Sequence, residues 1–396
     1  MPLANFPVQG AKAVLPGCEA RCPGCSHRKL SQTESLSAKQ EWLGHKLVKW
    51  ASVLQPLQEL PDQYRLGYRE KSCLHAHWNG TTWDFGFWIR VGRFDYELVP
   101  IPNCPVHSVR VHEAIRVCSE ILPTLFNDPS RNFPIAFLAV SGALVTIVVK
   151  APLAQSAQMI SVLTGEFTKK LDEAGFAGLY LNFNPSAGNR VFAARAWKHV
   201  WGKEFGELSL DSGLFQYGPS SFVQVLAETH RQSIRDTEEF LSLRTGMAVV
   251  DLCSGVGVTL SVWRKAGAQV LGVELSGEAV TCAKLNLGGE FCLRGKASDR
   301  IPQVNSWLDS VENDFVLYVN PPRLGLEHEV LVWLTVRAKR GEGAKKIAYL
   351  SCNAITQARD LSELENAGYA VTRIIPYDFF PQTHHVETLA TLELRA

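Results

Sequence analysis

The 396-residue chain is 46% hydrophobic and carries 40 Lys and Arg against 39 Asp and Glu. That length provides for two or three domains with ample core, and the composition excludes a disordered or fibrous protein. A formal charge of +1 excludes a uniformly basic nucleic-acid coat, so any basic face must be gathered locally.

The longest apolar runs, such as residues 135–140, are strand length and far too short to span a bilayer. The N-terminus lacks the charged-then-apolar pattern of a secretory signal, so the expected location is the cytoplasm. In that compartment the ten cysteines are not expected to form a disulfide framework, and their spacing is read for metal or catalysis. Cys18, Cys22 and Cys25 fall within eight residues, in a Gly- and Pro-rich setting that forces tight turns. Such thiols converge readily on one metal centre, zinc or iron–sulfur. Cys104, in the turn-rich stretch Pro102-Asn103-Cys104-Pro105, is the candidate fourth ligand.

Ser31-Gln32-Thr33-Glu34 reads as a capping box. Leu36, Leu43, Leu47, Trp50 and Leu54 follow at helical spacing, which predicts one amphipathic helix running to Pro56 or Pro61. From residue 64 to 203 the pattern is mixed α/β. Residues 82–91 read as a strand or hairpin, residues 109–122 as a helix, and 135–140 with 144–149 as a hairpin turning at Ser141-Gly142. Ile160, Leu163, Phe167 and Leu171 mark a further helix. Basic residues (Arg65, Arg69, Lys71, Arg90, Arg93, Arg190, Arg195, Lys198) alternate here with Tyr68, Trp78, Trp83, Trp88 and Trp197. That mixture suits stacking on unpaired bases, and equally suits a solvated face over an aromatic core.

The last third has a different grammar. The apolar strand Ala248-Val249-Val250 runs into Asp251-Leu252-Cys253-Ser254-Gly255-Val256-Gly257, a Rossmann-like turn whose glycines allow close approach of a ligand. A second strand ends in Glu274, 23 residues after Asp251, placed to accept from the two hydroxyls of a ribose. The third glycine of the dinucleotide fingerprint is absent, which shifts the expectation from NAD to S-adenosylmethionine. Residues 315–319 read as a buried fourth strand ending in Asn320-Pro321-Pro322-Arg323, with Asn320 on the ligand side. Residues 346–350 form the next strand, with Cys352 at its carboxyl end on the same rim. The segment His384-His385-Val386-Glu387 can bring a carboxylate beside that thiol.

These motifs in this order resemble the S-adenosylmethionine-dependent RNA uracil-carbon-5 methyltransferases, which make 5-methyluridine in tRNA and 23S rRNA. The resemblance covers the chain from the first cysteines to the end. Residues 215–225 are similar to the segment whose glutamine, here Gln224, contacts the cofactor. Asp251, Cys253, Gly255 and Glu274 fall in its cofactor motifs, and Asn320 in its Asp/Asn-Pro-Pro-Arg. Ser351-Cys352-Asn353-Ala354 resembles the nucleophile motif and Phe380-Pro381-Gln382-Thr383 through Glu387 the segment carrying the general base. The Asn-Pro-Pro and Ser-Cys-Asn-Ala wording is most similar to the smaller 23S rRNA branch, which lacks an N-terminal TRAM barrel; none fits before Cys18. That branch implies a 4Fe-4S cluster on Cys18, Cys22, Cys25 and Cys104, with zinc as the alternative, although the first gap is shorter than the family pattern.

The resemblance implies an α/β protein: a Rossmann-like class I methyltransferase domain at the C-terminus, preceded by a mixed α/β RNA-binding domain. The expected boundaries are a Cys-cluster segment and helix at 1–60, an RNA-recognition domain at 61–205 to which Cys104 belongs, and the methyltransferase domain at 206–396. Cys352 would act as nucleophile and Glu387 as base, on rRNA before tRNA, in a monomer. Two rivals stand beside this reading. An adenine amino-methyltransferase shares Asn-Pro-Pro but wants an aromatic where Arg323 stands. A non-catalytic RNA-binding protein would keep the fold without needing Cys352 or Glu387.

Overall fold

The structure, a computed structural model, describes residues 15–395 apart from 127, 189, 225, 312 and 313. The first 14 residues of the Cys segment, and Val225 of the glutamine segment, lie outside the described residues. None of the described helices is long and apolar enough to cross a membrane.

The chain begins with two turns bearing Cys18, Cys22 and Cys25, then helix α1 (Gln32–Lys46). Its capping box forms as the sequence predicts: Ser31 Oγ accepts from the Glu34 amide and the Glu34 carboxylate accepts from the Ser31 amide. The helix stops at Lys46 rather than continuing to Pro56. Residues 48–50 tighten into a 3₁₀ turn, and Leu54 and Gln58 bridge Ile374 and Tyr377 near the other end of the chain. The apolar spacing that suggested one long helix is shared between a helix and an extended run packed on the same surface.

Seven strands form the middle sheet: β1 (Lys71–Trp78), β2 (Trp83–Arg90), β3 (Tyr96–Pro100), β4 (Ile135–Ser141), β5 (Leu144–Val149), β6 (Gly178–Phe183) and β7 (Trp197–Gly202). Their spatial order is β3-β2-β1-β4-β5-β6-β7. The β4–β5 hairpin turns at Gly142, whose φ of 54° and tight contact with the Tyr217 hydroxyl leave no room for a Cβ. Helices α2 (Val109–Leu125), α3 (Pro129–Asn132), α4 (Ser156–Leu163) and α5 (Glu166–Glu173) lie among these strands. The helix expected over Ile160–Leu171 is therefore two, broken at Gly165 with φ 140°. Leu163, Phe167 and Leu171 still share one core, so the periodicity survived the break.

A two-stranded ribbon, β8 (Gly206–Leu210) and β9 (Gly213–Tyr217), leads into the C-terminal layer. Here α6 (Ala227–Leu241), β10 (Ala248–Leu252), α7 (Val258–Lys265), β11 (Gln269–Glu274), α8 (Gly277–Leu287), β12 (Cys292–Arg294), α9 (Ala297–Val311), β13 (Phe315–Val319), α10 (His328–Lys339), β14 (Lys346–Ser351) and α11 (Ala354–Asn366) alternate. Strands β15 (Tyr369–Tyr377) and β16 (Glu387–Leu394) close the chain. The sheet order is β12-β11-β10-β13-β14-β16-β15. Its first five members pair in parallel, and β16 is antiparallel to both neighbours. Every residue of β10 and β13 is buried, as strands covered by helices on both faces require.

One face is packed by α6, α7 and α8. The other is packed by α9, α10 and α11, and also by Leu36, Leu43, Leu47 and Trp50 of the N-terminal segment. Helix α1 thus belongs to the core of the methyltransferase sheet, although it follows the cysteines in sequence.

Candidate active site

A cleft of about 590 Å³, its open mouth included, lies on the carboxyl rim of the C-terminal sheet, lined by Phe222, Val223, Gln224, His230, Cys253, Ser254, Gly255, Thr259, Tyr318 and Asn320 among others. The turn after β10 shapes it. Cys253, Gly255 and Gly257 all adopt left-handed backbone conformations, with φ of 63°, 56° and 86°. The tight bend launches α7, and it is held by its own amides: Cys253 and Ser254 donate to the Val273 carbonyl, Gly257 to the Ser254 carbonyl and Gly255 to the Glu274 carboxylate.

Asp251 is fully buried behind this turn and does not line the cleft. Its Oδ2 accepts from Thr259 Oγ1 (2.6 Å) and Trp263 Nε1 (3.1 Å), pinning the first turns of α7 to the strand end. Its Oδ1 is buried without a partner. Burial raises its pKa to about 7 against the two hydrogen bonds that lower it. Glu274 at the end of β11 accepts from the Gly255 amide (3.0 Å) and the Ser276 amide (2.7 Å), so it braces the same turn. Gln224 has both amide atoms buried and unpartnered. A buried amide with neither donor nor acceptor used is costly, and marks a place where a polar ligand completes the bonding.

Cys352 and Glu387 lie where the end of β14 meets the start of β16. Strands β14 and β16 pair with Ser351 opposite Thr388. Extending that antiparallel register by one residue sets Cys352 against Glu387. Gln357 of α11 fixes the junction: its Nε2 donates to the carbonyls of Tyr349 (3.0 Å) and Thr388 (3.1 Å), and its Oε1 accepts from Thr388 Oγ1 (2.6 Å). Asn353 caps α11 by accepting from the Ile355 amide, and its Nδ2 donates 2.9 Å to the Arg323 carbonyl. Thr356 Oγ1 donates to the same carbonyl at 3.2 Å. The Ser-Cys-Asn and Asn-Pro-Pro-Arg segments are therefore one structural unit.

Burial, then the nearby Glu387 carboxylate, raises the Cys352 pKa, and Arg323 opposes both. The start of α11 adds partial positive charge next to the thiol. Glu387 is 3% exposed, and its Oε2 has no hydrogen-bond partner. Burial raises its pKa to about 8. A carboxyl group held this way is a strong base when ionised, and its pKa lies near working pH.

Beside the segment that precedes Glu387, Cys18, Cys22, Cys25 and Cys104 line one small pocket with Leu15, Ile101, Pro105, Val106 and Gln382. A Cβ on Gly17 would stand 2.4 Å from the Asn103 carbonyl, so the two cysteine-bearing turns pack directly together. Burial, then the neighbouring Cys104 and Cys22 thiols, pushes the Cys25 thiol up to about 12. Among the described residues no three His, Cys, Asp or Glu stand close enough to share a single metal ion.

The basic and aromatic residues of the middle sheet divide. Trp83 is core, Arg65 is buried against Asp378, Lys71 donates to the Ser221 carbonyl (2.5 Å) and Tyr68 to the Pro381 carbonyl (3.0 Å). Trp88, Arg90 and Arg93 do lie on the surface, at the β2–β3 hairpin, beside Phe94 and Tyr96 at 79% and 62% exposure. Sequence reasoning passed over those last two, and also Tyr318, Gln357 and Asp378. An Arg-Phe-Asp-Tyr stretch between two strands was the available signal for the first pair; nothing in the local sequence marks the others.

The sheet order and the cleft at the end of β10 define a class I methyltransferase. Residues 300–395 match the family model for tRNA (Uracil-5-)-methyltransferase. An uncharacterised RNA methyltransferase of Listeria innocua is 27% identical over 99% of this chain and 87% of its own length. The 23S rRNA (uracil(1939)-C(5))-methyltransferase RlmD of Shewanella amazonensis is 29% identical over 94% of this chain and 80% of its own. A crystal structure of Pyrococcus abyssi tRNA (uracil-54, C5)-methyltransferase with S-adenosyl-L-homocysteine superposes with a TM-score of 0.66 at 23% identity, covering 94% of this chain and 85% of that one. The chain is thus an enzyme, a methyltransferase similar over nearly its whole length to proteins named for RNA methylation.

The carboxyl of Glu387 gives a pH test. Its folded pKa, about 8, lies above the ordinary 4.5, so the folded state holds the proton more tightly than the unfolded one. The group favours folding at low pH and disfavours it progressively from about 4.5 to about 8. Glu387→Gln should remove this falling limb, leaving a variant at least as stable as wild type at pH 8 by urea unfolding, with the difference vanishing near pH 4.

Proposed function

We propose that the chain transfers a methyl group from S-adenosylmethionine to carbon 5 of a uridine in RNA, with ribosomal RNA as the favoured substrate. The observation that carries this is the pairing of Cys352 with a buried, unpartnered Glu387 across β14 and β16, beside a class I cofactor cleft. Neither rival needs that pair. The cleft supports the cofactor assignment: Gln224 and Asn320 offer side-chain bonds and the turn from Cys253 to Val256 lines the wall, while Glu274 serves a ribose from beside the turn. S-adenosylmethionine supplies an electrophilic methyl group when bound.

Carbon 5 of uracil is a poor nucleophile. Cys352 Sγ, as thiolate, adds to carbon 6, and the electrons of the 5,6 double bond move onto oxygen 4 as an enolate. Carbon 5 is then nucleophilic enough to accept the methyl group. Glu387 takes the remaining carbon-5 proton, the double bond re-forms and the carbon–sulfur bond breaks, which returns the thiolate. Arg323 favours that thiolate. The target base has to leave its stack to reach a thiol on the sheet rim. Arg90, Arg93, Phe94 and Tyr96 on the β2–β3 hairpin offer cationic and stacking contacts to unpaired RNA.

The Glu387→Gln enzyme, mixed with unmodified 23S rRNA transcript and S-adenosylmethionine, should accumulate an RNA-linked band in denaturing gels, methylated and joined through Cys352. Cys352→Ala should give no band and no 5-methyluridine. Full activity of Cys352→Ala would favour the amino-methyltransferase instead.

Four cysteines face one apolar pocket, which supports a shared metal centre there. The resemblance favours a 4Fe-4S cluster, with zinc as the alternative. Cys18, Cys22, Cys25 and Cys104 would hold it, and its contribution would be to fold the N-terminal segment. Protein purified without oxygen should contain about four irons per chain with matching labile sulfide; stoichiometric zinc without iron would refute the assignment.

A further inference from the structure

The segment from Asp378 to Glu387 carries the general base, yet it is held mainly by the first 70 residues of the chain. Three successive carbonyls accept from three separate N-terminal groups. Lys39 Nζ donates to the Phe380 carbonyl at 3.1 Å, Tyr68 hydroxyl to Pro381 at 3.0 Å and the His27 amide to Gln382 at 2.9 Å. Ser26 Oγ accepts from the His384 amide at 2.8 Å and shares a second bond with His384 Nδ1 at 2.9 Å.

At the centre lies a fully buried ion pair. Lys39 Nζ is 2.5 Å from Asp378 Oδ1, and both side chains are 0% exposed. Arg65 stands 3.8 Å from the other Asp378 oxygen. Buried ion pairs are a poor source of stability, because desolvation offsets their attraction; their better-attested use is to specify one arrangement over others. Here the arrangement specified is that of a segment with Gln382 in a left-handed conformation, φ 68°, which other contacts must impose. Helix α1 is otherwise packed into the methyltransferase core, so Lys39 is carried on a rigid support.

We infer that Lys39, through its pair with Asp378 and its bond to the Phe380 carbonyl, is a positioning residue for Glu387: it sets the base against carbon 5 without touching the substrate. This rests on the reading of Glu387 as the base. The predicted consequence is selective. Attack by Cys352 and methyl transfer do not need Glu387 in place, whereas proton removal and release do.

Two RNA probes separate these steps. On a uracil transcript of 23S rRNA, turnover needs the base. On the same transcript made with 5-fluorouracil, the reaction halts at the methylated covalent adduct, because carbon 5 bears no proton to remove. Lys39→Met combined with Asp378→Leu exchanges the pair for apolar groups and also removes the carboxylate that faces buried Arg65. Tyr68→Phe removes one hydroxyl and nothing else. The double variant should form the fluorouracil adduct within about twofold of the wild-type rate, lose on the order of 10–100-fold in kcat on uracil RNA, keep KM for RNA, and accumulate adduct on uracil RNA. Tyr68→Phe should show the same pattern at smaller size.

Wild-type turnover by the double variant would overturn the inference. So would an equal fall on both probes by both variants, since that is loss of folded enzyme rather than a misplaced base. Glu387→Gln run alongside keeps the two claims apart. If it accumulates adduct and the Lys39 variants do not, the positioning role fails alone; if it also fails to accumulate adduct, the assignment of the base fails.

Discussion

The proposed active site depends on one antiparallel pairing. In an all-parallel sheet the carboxyl ends of strands collect on one rim, and a second functional group has to come from another loop on that rim. Here β16 runs against β14, so the amino end of one strand meets the carboxyl end of the other. That reversal sets Glu387 across from Cys352 within a sheet, where backbone bonding fixes their separation better than two loops can. Gln357 reinforces the junction from below by bonding a carbonyl on each strand.

The arrangement stores unfavourable groups at a cost. Glu387 lacks a partner for Oε2, Gln224 for both amide atoms and Asp251 for Oδ1, and all four atoms are buried. Each unsatisfied group of this sort costs about 1–3 kcal/mol, which the apolar packing on both faces of the sheet must offset. The N-terminal residues contribute to that packing through Leu43 and Leu47, both 0% exposed, and Lys39 bonds Asp378 and the Phe380 carbonyl of the segment before Glu387. The N-terminal segment and the methyltransferase sheet therefore fold as parts of one object, though the middle sheet intervenes in sequence.

Much of this was readable from residues. The Asp-x-x-x-Gly-x-Gly turn, the acid ending β11 and the buried runs at 248–252 and 315–319 required only period and turn chemistry, and they placed the cofactor cleft. The capping box at Ser31 marked the start of α1 correctly. What was not readable is where helices end when an extended run continues the same apolar face, as at Lys46, and which basic residues turn inward. Arg65, Lys71 and Lys39 look like surface cations in sequence; only the fold brings Asp378 and the Ser221 carbonyl to meet them. The Cys352–Glu387 register depends on strand pairing, which local sequence does not encode; only the expectation that the two residues meet came from the sequence, through the resemblance of their motifs to a family. The contact between the cysteine segment and residues 380–384 was absent from the sequence reading altogether.

The central claim is that Cys352 methylates a uridine at carbon 5. It is tested most directly by mass mapping of 5-methyluridine in RNA from a strain lacking this chain, complemented with the wild type or with Cys352→Ala. The account predicts that one 5-methyluridine disappears in the deletion, returns with the wild type and does not return with Cys352→Ala. Restoration by Cys352→Ala, or a deletion that leaves every 5-methyluridine in place while another modification is lost, would contradict it.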